Sequence, residues 1–445
     1  MFLFVLPAHA ADVVATIPFE KYILSNGLEV ILSEDHRVPL VAVDTWYHVG
    51  AGNEVPGRSG FAHLFEHIMF QGSRNVAEDT YFQYLEAAGA TMINGTTDFD
   101  RTNYFETVPL HQFELALWLE SDRMAFLLDT LSEERLTNQK AVVRKERQQS
   151  TENVPYGMAE ERFFQLLFPA PHPYNGVVIG SHVDLEAATL DDVKGFFRQW
   201  YVPNNATLVV VGDFQPADAK ALIEKYYAGL PGGAEPPPLV VSTAPIKGER
   251  REAMTDEVEL CQVNLGWITP AAFLPGDAEL QVAATILGDG KSSRLYRALV
   301  HDQQIAQEVA AWQYPLAQGS VFGVQIKGKP GQTPDAVEKA TWAVMEAFGA
   351  SIPSADEVTR ALRKWQASTL RGLELLGGFG GKADVLSYYN HHLGDPGWIT
   401  KDFARFAAVT PAAVQKAFGE TIRADNRVVV TVTPVPVAPS TGGAP

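Results

Sequence analysis

A single cysteine, Cys261, stands in 445 residues, so the chain can form no intrachain disulfide and has no zinc site of the cysteine type. No run of 18 or more apolar residues occurs, which leaves no segment suited to cross a membrane as a helix. Positive charge is scarce as well. There are 35 Lys and Arg against 53 Asp and Glu, a net charge of −18. Nucleic acid binding needs clustered basic residues, and this deficit argues against it. With 46% hydrophobic and 20% charged residues, the composition is that of a globular protein. The length calls for two or more domains.

The opening MFLFVLPAHAADVV joins a short apolar run to Ala8-His9-Ala10, an A-x-A cleavage pattern. The positively charged start of a signal peptide is missing. The expectation is a remnant signal peptide over 1–10, cleavage after Ala10 and export to a bacterial periplasm. An ordinary frayed terminus is the alternative.

Near the middle, the Pro/Gly-rich stretch Leu230 to Pro245 reads as a linker. It implies a domain over 11–229, a linker over 230–247, a second domain over 248–434 and a disordered tail over 435–445. The two domains read as diverged copies. Within Leu190 to Val211, the stretch from Leu190 to Val209 aligns without gaps to Pro411 to Val430, with Val193 on Val414, Phe197 on Phe418 and Asn205 on Asn426. Each copy is an amphipathic helix, a polar turn and a β-branched strand. Val41 to Gly52 and Leu260 to Ala271 match more weakly as strands leading toward a helix. The blocks point to an α+β fold, two homologous domains each with helices packed on a sheet. Two glycine-rich stretches receive no chemistry. Gly288 to Tyr296 lacks a glycine at Thr285 and fails as a phosphate loop, and Leu376 to Ala383 reads as a flexible turn.

One stretch carries chemistry. Ser59 to Ser73, SGFAHLFEHIMFQGS, fits a helix capped by Ser59 and ended by Gly72. Phe61, Leu64, Phe65, Ile68 and Met69 form its apolar stripe. His63, Glu66 and His67 fall on the opposite arc, joined by Phe70. Histidines four apart sit one turn above each other and can reach one ion. A solvated helix face would be built from Lys, Arg, Glu and Gln, yet no Lys or Arg occurs between Arg58 and Arg74. The H-x-x-E-H spacing therefore reads as a metal site with its own base.

Catalytic zinc takes three protein ligands and leaves a fourth position open. The helix expected over Ser132 to Gln149 is the best source of the third. Glu133 and Glu134 suit its first turn and the helix dipole. Glu146 shares a face with Val143 and Gln139, which makes Glu146 the third ligand and Gln139 a group behind the ligands.

The H-x-x-E-H helix, with a Glu about 80 residues on inside Ala141 to Gly157, resembles the pitrilysin family of inverted-motif zinc peptidases. Asn26 to Leu32, Gly72 to Phe105, His172 to Gly180 and Ser292 to Val300 extend the resemblance over nearly the whole chain. It implies half of a clam-shell peptidase, mainly antiparallel sheets, and one Zn2+ held by His63, His67 and Glu146. Glu66 would be the general base for hydrolysis of short or unfolded peptides. It also implies that Ala90 to Thr97 is an edge strand pairing with substrate through Asn94. A turn at Asn94-Gly95 is the competing reading there.

Two departures stand out. Many members of the family have Glu where this chain has Gln139. Full-length members also carry an Arg and, seven residues later, a Tyr in the second half, where alignment places Val300 and Gln307. The chain is half the length of enzymes that close two halves round a peptide. The resemblance thus implies a dimer, with a zinc-less paralogous subunit supplying the Arg/Tyr pair. Two other roles share the fold: a non-catalytic core-type assembly subunit, and a peptide-binding chaperone with structural zinc.

Overall fold

A computed structural model of the chain describes residues 15–435 apart from 240 and 242. The signal-peptide expectation, and all but the first residue of the expected tail, lie outside the described residues.

Among the described residues eleven strands form two sheets. In the first, β1 (Glu20–Ile23), β2 (Glu29–Glu34), β3 (Leu40–Tyr47), β4 (Thr91–Thr97), β5 (Thr102–Pro109) and β6 (Ala206–Gly212) lie in the order β1-β2-β6-β3-β5-β4. In the second, β7 (Arg250–Asp256), β8 (Gln262–Thr269), β9 (Ala306–Tyr314), β10 (Ser320–Gly328) and β11 (Val428–Pro434) lie in the order β7-β11-β8-β10-β9. Each sheet has one parallel pair, β2 with β6 and β7 with β11, and is otherwise antiparallel. Apart from β1 the two orders are the same. The duplication read from sequence is a duplication of topology.

The aligned asparagines show why the repeat persists. Asn205 Nδ2 donates to the carbonyl of Trp200 at 2.8 Å, and Asn426 Nδ2 donates to that of Thr421 at 2.9 Å. Each satisfies a carbonyl at a helix end, Leu190–Trp200 in one copy and Pro411–Thr421 in the other. Val193, Phe197, Val414 and Phe418 are all buried on those helices.

The domains interlock by exchanging helices. Gly157–Leu167, which precedes the linker, packs Phe163 and Leu167 against Val428 and Val430 of the second sheet. Lys382–Leu393, from the second domain, packs Ala383 and Leu386 against Ala42, Val209 and Val211 of the first. The opposite face of the first sheet holds Leu208 and Val210 against Leu64, Phe65 and Phe197. With both faces covered, β6 is buried throughout, which explains its apolar run from Leu208 to Val211. β4 is left at the edge.

Candidate metal centre

The histidine-bearing helix runs over Phe61–Ile68, with Phe61, Leu64, Phe65 and Ile68 buried as the stripe requires. Its ends differ from expectation. Gly60, in left-handed backbone at φ 88°, precedes the first turn, and the Glu54 carboxylate accepts from the N–H groups of Gly60 and Ala62 at 2.9 and 2.8 Å. Ser59 is not the cap, because its hydroxyl is spent on Asp184 at 2.5 Å. A carboxylate there satisfies donors and favours the positive end of the helix. Burial nevertheless pushes Glu54 up to about 8. At the other end Met69 closes the helix, short of Gly72.

Glu146 comes from the helix Glu133–Arg147, where the Ser132 hydroxyl accepts from the Arg135 N–H. Leu136, Gln139 and Val143 bury one face of this helix, and Glu146 follows on the same side, half-buried. His67 Nε2 lies 3.0 Å from one Glu146 oxygen and His63 Nε2 lies 3.7 Å from the other. Ligand atoms from His63, His67 and Glu146 all fall within 4.8 Å of one another. The two rings meet edge to face at 4.8 Å.

The electrostatics suit a cation. Burial, and then the neighbouring His67, push His63 down to about 4, so its imidazole is neutral near pH 7. The hydrogen bond with His67 holds Glu146 below the usual carboxylate range. A neutral imidazole and an ionised carboxylate are what an N/O zinc site demands, and three such donors leave one tetrahedral position for water or substrate. One feature is unusual: His63 Nδ1 is buried without a hydrogen-bond partner among the described residues, where a ligating histidine normally donates its second N–H.

Glu66 stands beside this group and does not join it. Its Oε2 accepts from the Thr97 hydroxyl of β4 at 2.8 Å. Burial pushes Glu66 up to about 7, against the pull of Thr97 and His67. β4 approaches this closely because Gly95 has no side chain, since a Cβ there would stand 3.0 Å from Glu66 Cγ.

A cavity of about 400 Å³ opens at this point, lined by Glu66, His67, Asn94 and Gln139, with Phe70, Phe82 and Val142 as apolar walls. Asn94 is exposed on the edge strand, its side-chain oxygen accepting from the Gly95 N–H at 2.9 Å. The competing turn reading fails here. Asn94 and Gly95 pair with Phe105 and Tyr104 inside the ladder, and the hairpin turns between Thr97 and Thr102. Gln139 is buried at the cavity wall.

Thr97, Glu54, Phe82 and Val142 were not anticipated as parts of the site. Nothing local in the sequence marks Thr97, which meets Glu66 only through the sheet. The Glu54 acid, six residues before Gly60, was a signal that could have been found.

Two domains of like topology with an H-x-x-E-H helix over one sheet form the architecture of a clam-shell peptidase half. The chain belongs to peptidase family M16, the insulinase family. Residues 29–165 match the family's insulinase model, and 187–364 match its model of the M16 inactive domain. The zinc protease PqqE of Helicobacter pylori is 31% identical over 331 residues, 74% of each chain. A crystal structure of a protease from Helicobacter pylori superposes with a TM-score of 0.88 at 27% identity, covering 94% of this chain and 100% of that one. The periplasmic protease PqqL of Escherichia coli shares the fold, with a TM-score of 0.76 at 16% identity. That match covers 94% of this chain and 48% of PqqL.

Proposed function

We propose that this chain is the zinc-bearing subunit of a two-chain endopeptidase acting on short or unfolded peptides. The observation that carries this reading is the convergence of His63, His67 and Glu146 within 4.8 Å, with Glu66 and a free sheet edge beside them. In this reading 11–229 is the catalytic domain, 248–434 supports it, and 230–247 links them. The A-x-A pattern at Ala8-His9-Ala10 supports a periplasmic location in this reading.

His63, His67 and Glu146 would hold one zinc ion, which when bound supplies Lewis-acid polarisation of a water and of the scissile carbonyl. The residues do the rest. The edge of β4 offers backbone groups to an extended peptide, and Asn94 helps to hold it. Gln139, buried on the Glu146 helix at the cavity wall, lies behind the ligands. Glu66, poised near neutrality by burial, takes a proton from the attacking water and passes it to the leaving amine. Thr97 keeps that carboxylate aimed.

The donor for the developing oxyanion is missing at Val300 and Gln307, so a zinc-less paralogue supplies an Arg/Tyr pair. Zinc analysis and cleavage of a fluorogenic peptide, wild type against Glu66→Gln, test the reading. Zinc in both proteins with turnover only in the wild type supports it. Equal turnover in both rejects Glu66 as the base.

A further inference from the structure

A second cavity, also about 400 Å³, lies in the second domain beneath the glycine turn. Phe273, Trp365, Phe379 and Tyr388 give it aromatic walls. Its charge is acidic in balance. Arg405 is neutralised twice over, donating to Asp277 and to Asp402 at 2.8 Å each, while the second Asp402 oxygen accepts from Tyr389 at 2.8 Å. Two aspartates against one arginine leave one negative charge, and Asp384 adds another.

Asp384 is the group without a counterpart. Its one hydrogen bond comes from the Gly380 N–H at 2.8 Å, and among the described residues no basic side chain is paired with it. Arg101 acts on it only from a distance, being engaged by Asp98, Thr96 and Asn103. Across the domain interface stands a second carboxylate, the buried Asp44. The Tyr388 hydroxyl, on the same cavity, has no hydrogen bond among the described residues. A cavity with an uncompensated carboxylate, a free hydroxyl and aromatic walls is matched to an organic cation.

The glycine turn connects this cavity to the proposed peptide track. Gly378 and Gly380 hold it in left-handed backbone, at φ 76° and 69°. Gly378 lies against Met92 of β4, and the Phe379 ring is 5.4 Å from that of Phe105 on β5. Phe379 is 65% exposed, an apolar lip with no cover of its own. Met92 precedes Asn94 by two residues and sits in left-handed backbone at φ 55°, where the β4–β5 pairing slips between Thr91 and Asn94. The irregular stretch of β4 thus brings the glycine turn within two residues of Asn94, so a peptide held at Asn94 beside the metal centre has Phe379 within reach of its next residues.

We propose that this cavity is a subsite for a lysine or arginine side chain of the peptide laid along β4, with Asp384 as the anchoring carboxylate. This rests on the peptidase reading above. The aliphatic stem packs on Phe379 and Tyr388, and the charged head meets Asp384 and the Tyr388 hydroxyl. In the empty cavity burial holds the Asp384 carboxyl above its usual range, and an incoming cation favours its ionised form.

The test uses Nα-acetyl-arginine amide and its neutral citrulline counterpart as probes, with binding to the full chain followed by tryptophan fluorescence and NMR. The same arginine/citrulline exchange is then scanned along a cleavable peptide. Wild type should prefer arginine about tenfold, the scale of one charge-assisted hydrogen bond. In the peptide the preference should appear in KM and not in kcat. Asp384→Asn and Phe379→Ala should each lose the preference while retaining zinc. The first removes a like charge from beside Asp44, and the second changes an exposed side chain, so both variants should fold. Equal binding of the two probes by wild type, or an arginine preference unchanged in both variants, overturns the subsite. Cleavage without any arginine preference leaves the peptidase reading standing and removes the subsite. Arginine-selective probe binding without any cleavage, even after a zinc-less paralogue is added, keeps the cavity as a cation site and removes the peptidase reading.

Discussion

The Thr97 hydroxyl donates to Glu66 Oε2 at 2.8 Å, tying the proposed base to the strand on which substrate would lie. Thr97→Val keeps the β-branched shape and removes the donor. Glu66 then loses its orienting bond while the metal ligands are untouched. Turnover should fall about tenfold, in kcat more than in KM, with zinc content unchanged. A Thr97→Ser variant should recover most of the loss. If Thr97→Val and wild type turn over equally, the bond does not orient the base.

Roles within the H-x-x-E-H helix separate by metal analysis. His67→Ala removes a donor 3.0 Å from Glu146 and should abolish tight zinc binding. Glu66→Gln should keep one zinc per chain and lose turnover by about 100- to 10,000-fold, the range of general acid–base contributions. Zinc loss in Glu66→Gln as deep as in His67→Ala would contradict the assignment of Glu66 as base rather than ligand.

These residues also show what the sequence could reveal. The apolar stripe from Phe61 to Ile68 and the repeat pairing Asn205 with Asn426 obey local periodicity, so the helix and the duplicated topology were legible. Glu146 was legible because helical spacing set it on the face of Val143 and Gln139. The cap at Ser59 was misread because its hydroxyl is taken by Asp184, 125 residues away, while Glu54 does the capping. Thr97 and the glycine turn were silent for the same reason. Each acquires its partner, Glu66 or Met92, only when strands and domains pack.

The contact between the first sheet and the helix Lys382–Leu393 of the second domain should weaken in acid. His48, His391 and His392 cluster there, with ring centroids 4.9 Å apart for His48 and His391 and 4.8 Å for His391 and His392. Burial pushes His48 and His392 down to about 4, and His391 well below its usual value. Folded, they stay neutral at pH 5, whereas unfolded histidines protonate near 6.5. The unfolded chain then binds more protons, so stability falls as pH drops from 6.5 toward 4. Asp44 and Asp384, raised by burial, bind protons in the folded state and oppose this trend. A single variant isolates the histidine effect. Between pH 7 and pH 5, His392→Gln should lose about 2 kcal/mol less stability than wild type in urea titrations. Equal losses would show that His392 does not titrate on unfolding.

Val300 packs partly buried against the second-domain core, and Gln307 is exposed on β9, so neither offers a cationic or phenolic donor. Arg294 cannot stand in, because its guanidinium is held by both Glu357 oxygens at 2.8 and 3.0 Å. The purified chain should therefore generate a nucleophile yet stabilise the oxyanion poorly. Loss of such a donor costs about 100- to 1,000-fold in turnover, and the lone chain should fall short of the assembled peptidase by that order. Adding a zinc-less M16 paralogue that carries the Arg/Tyr pair should restore the rate. Val300→Arg with Gln307→Tyr should recover part of it in a homodimer, provided the second domain of one chain faces the metal centre of the other. The comparison is of kcat for one peptide, lone chain against mixture. If the lone chain already matches the mixture, the oxyanion is stabilised within this chain and the two-chain model fails.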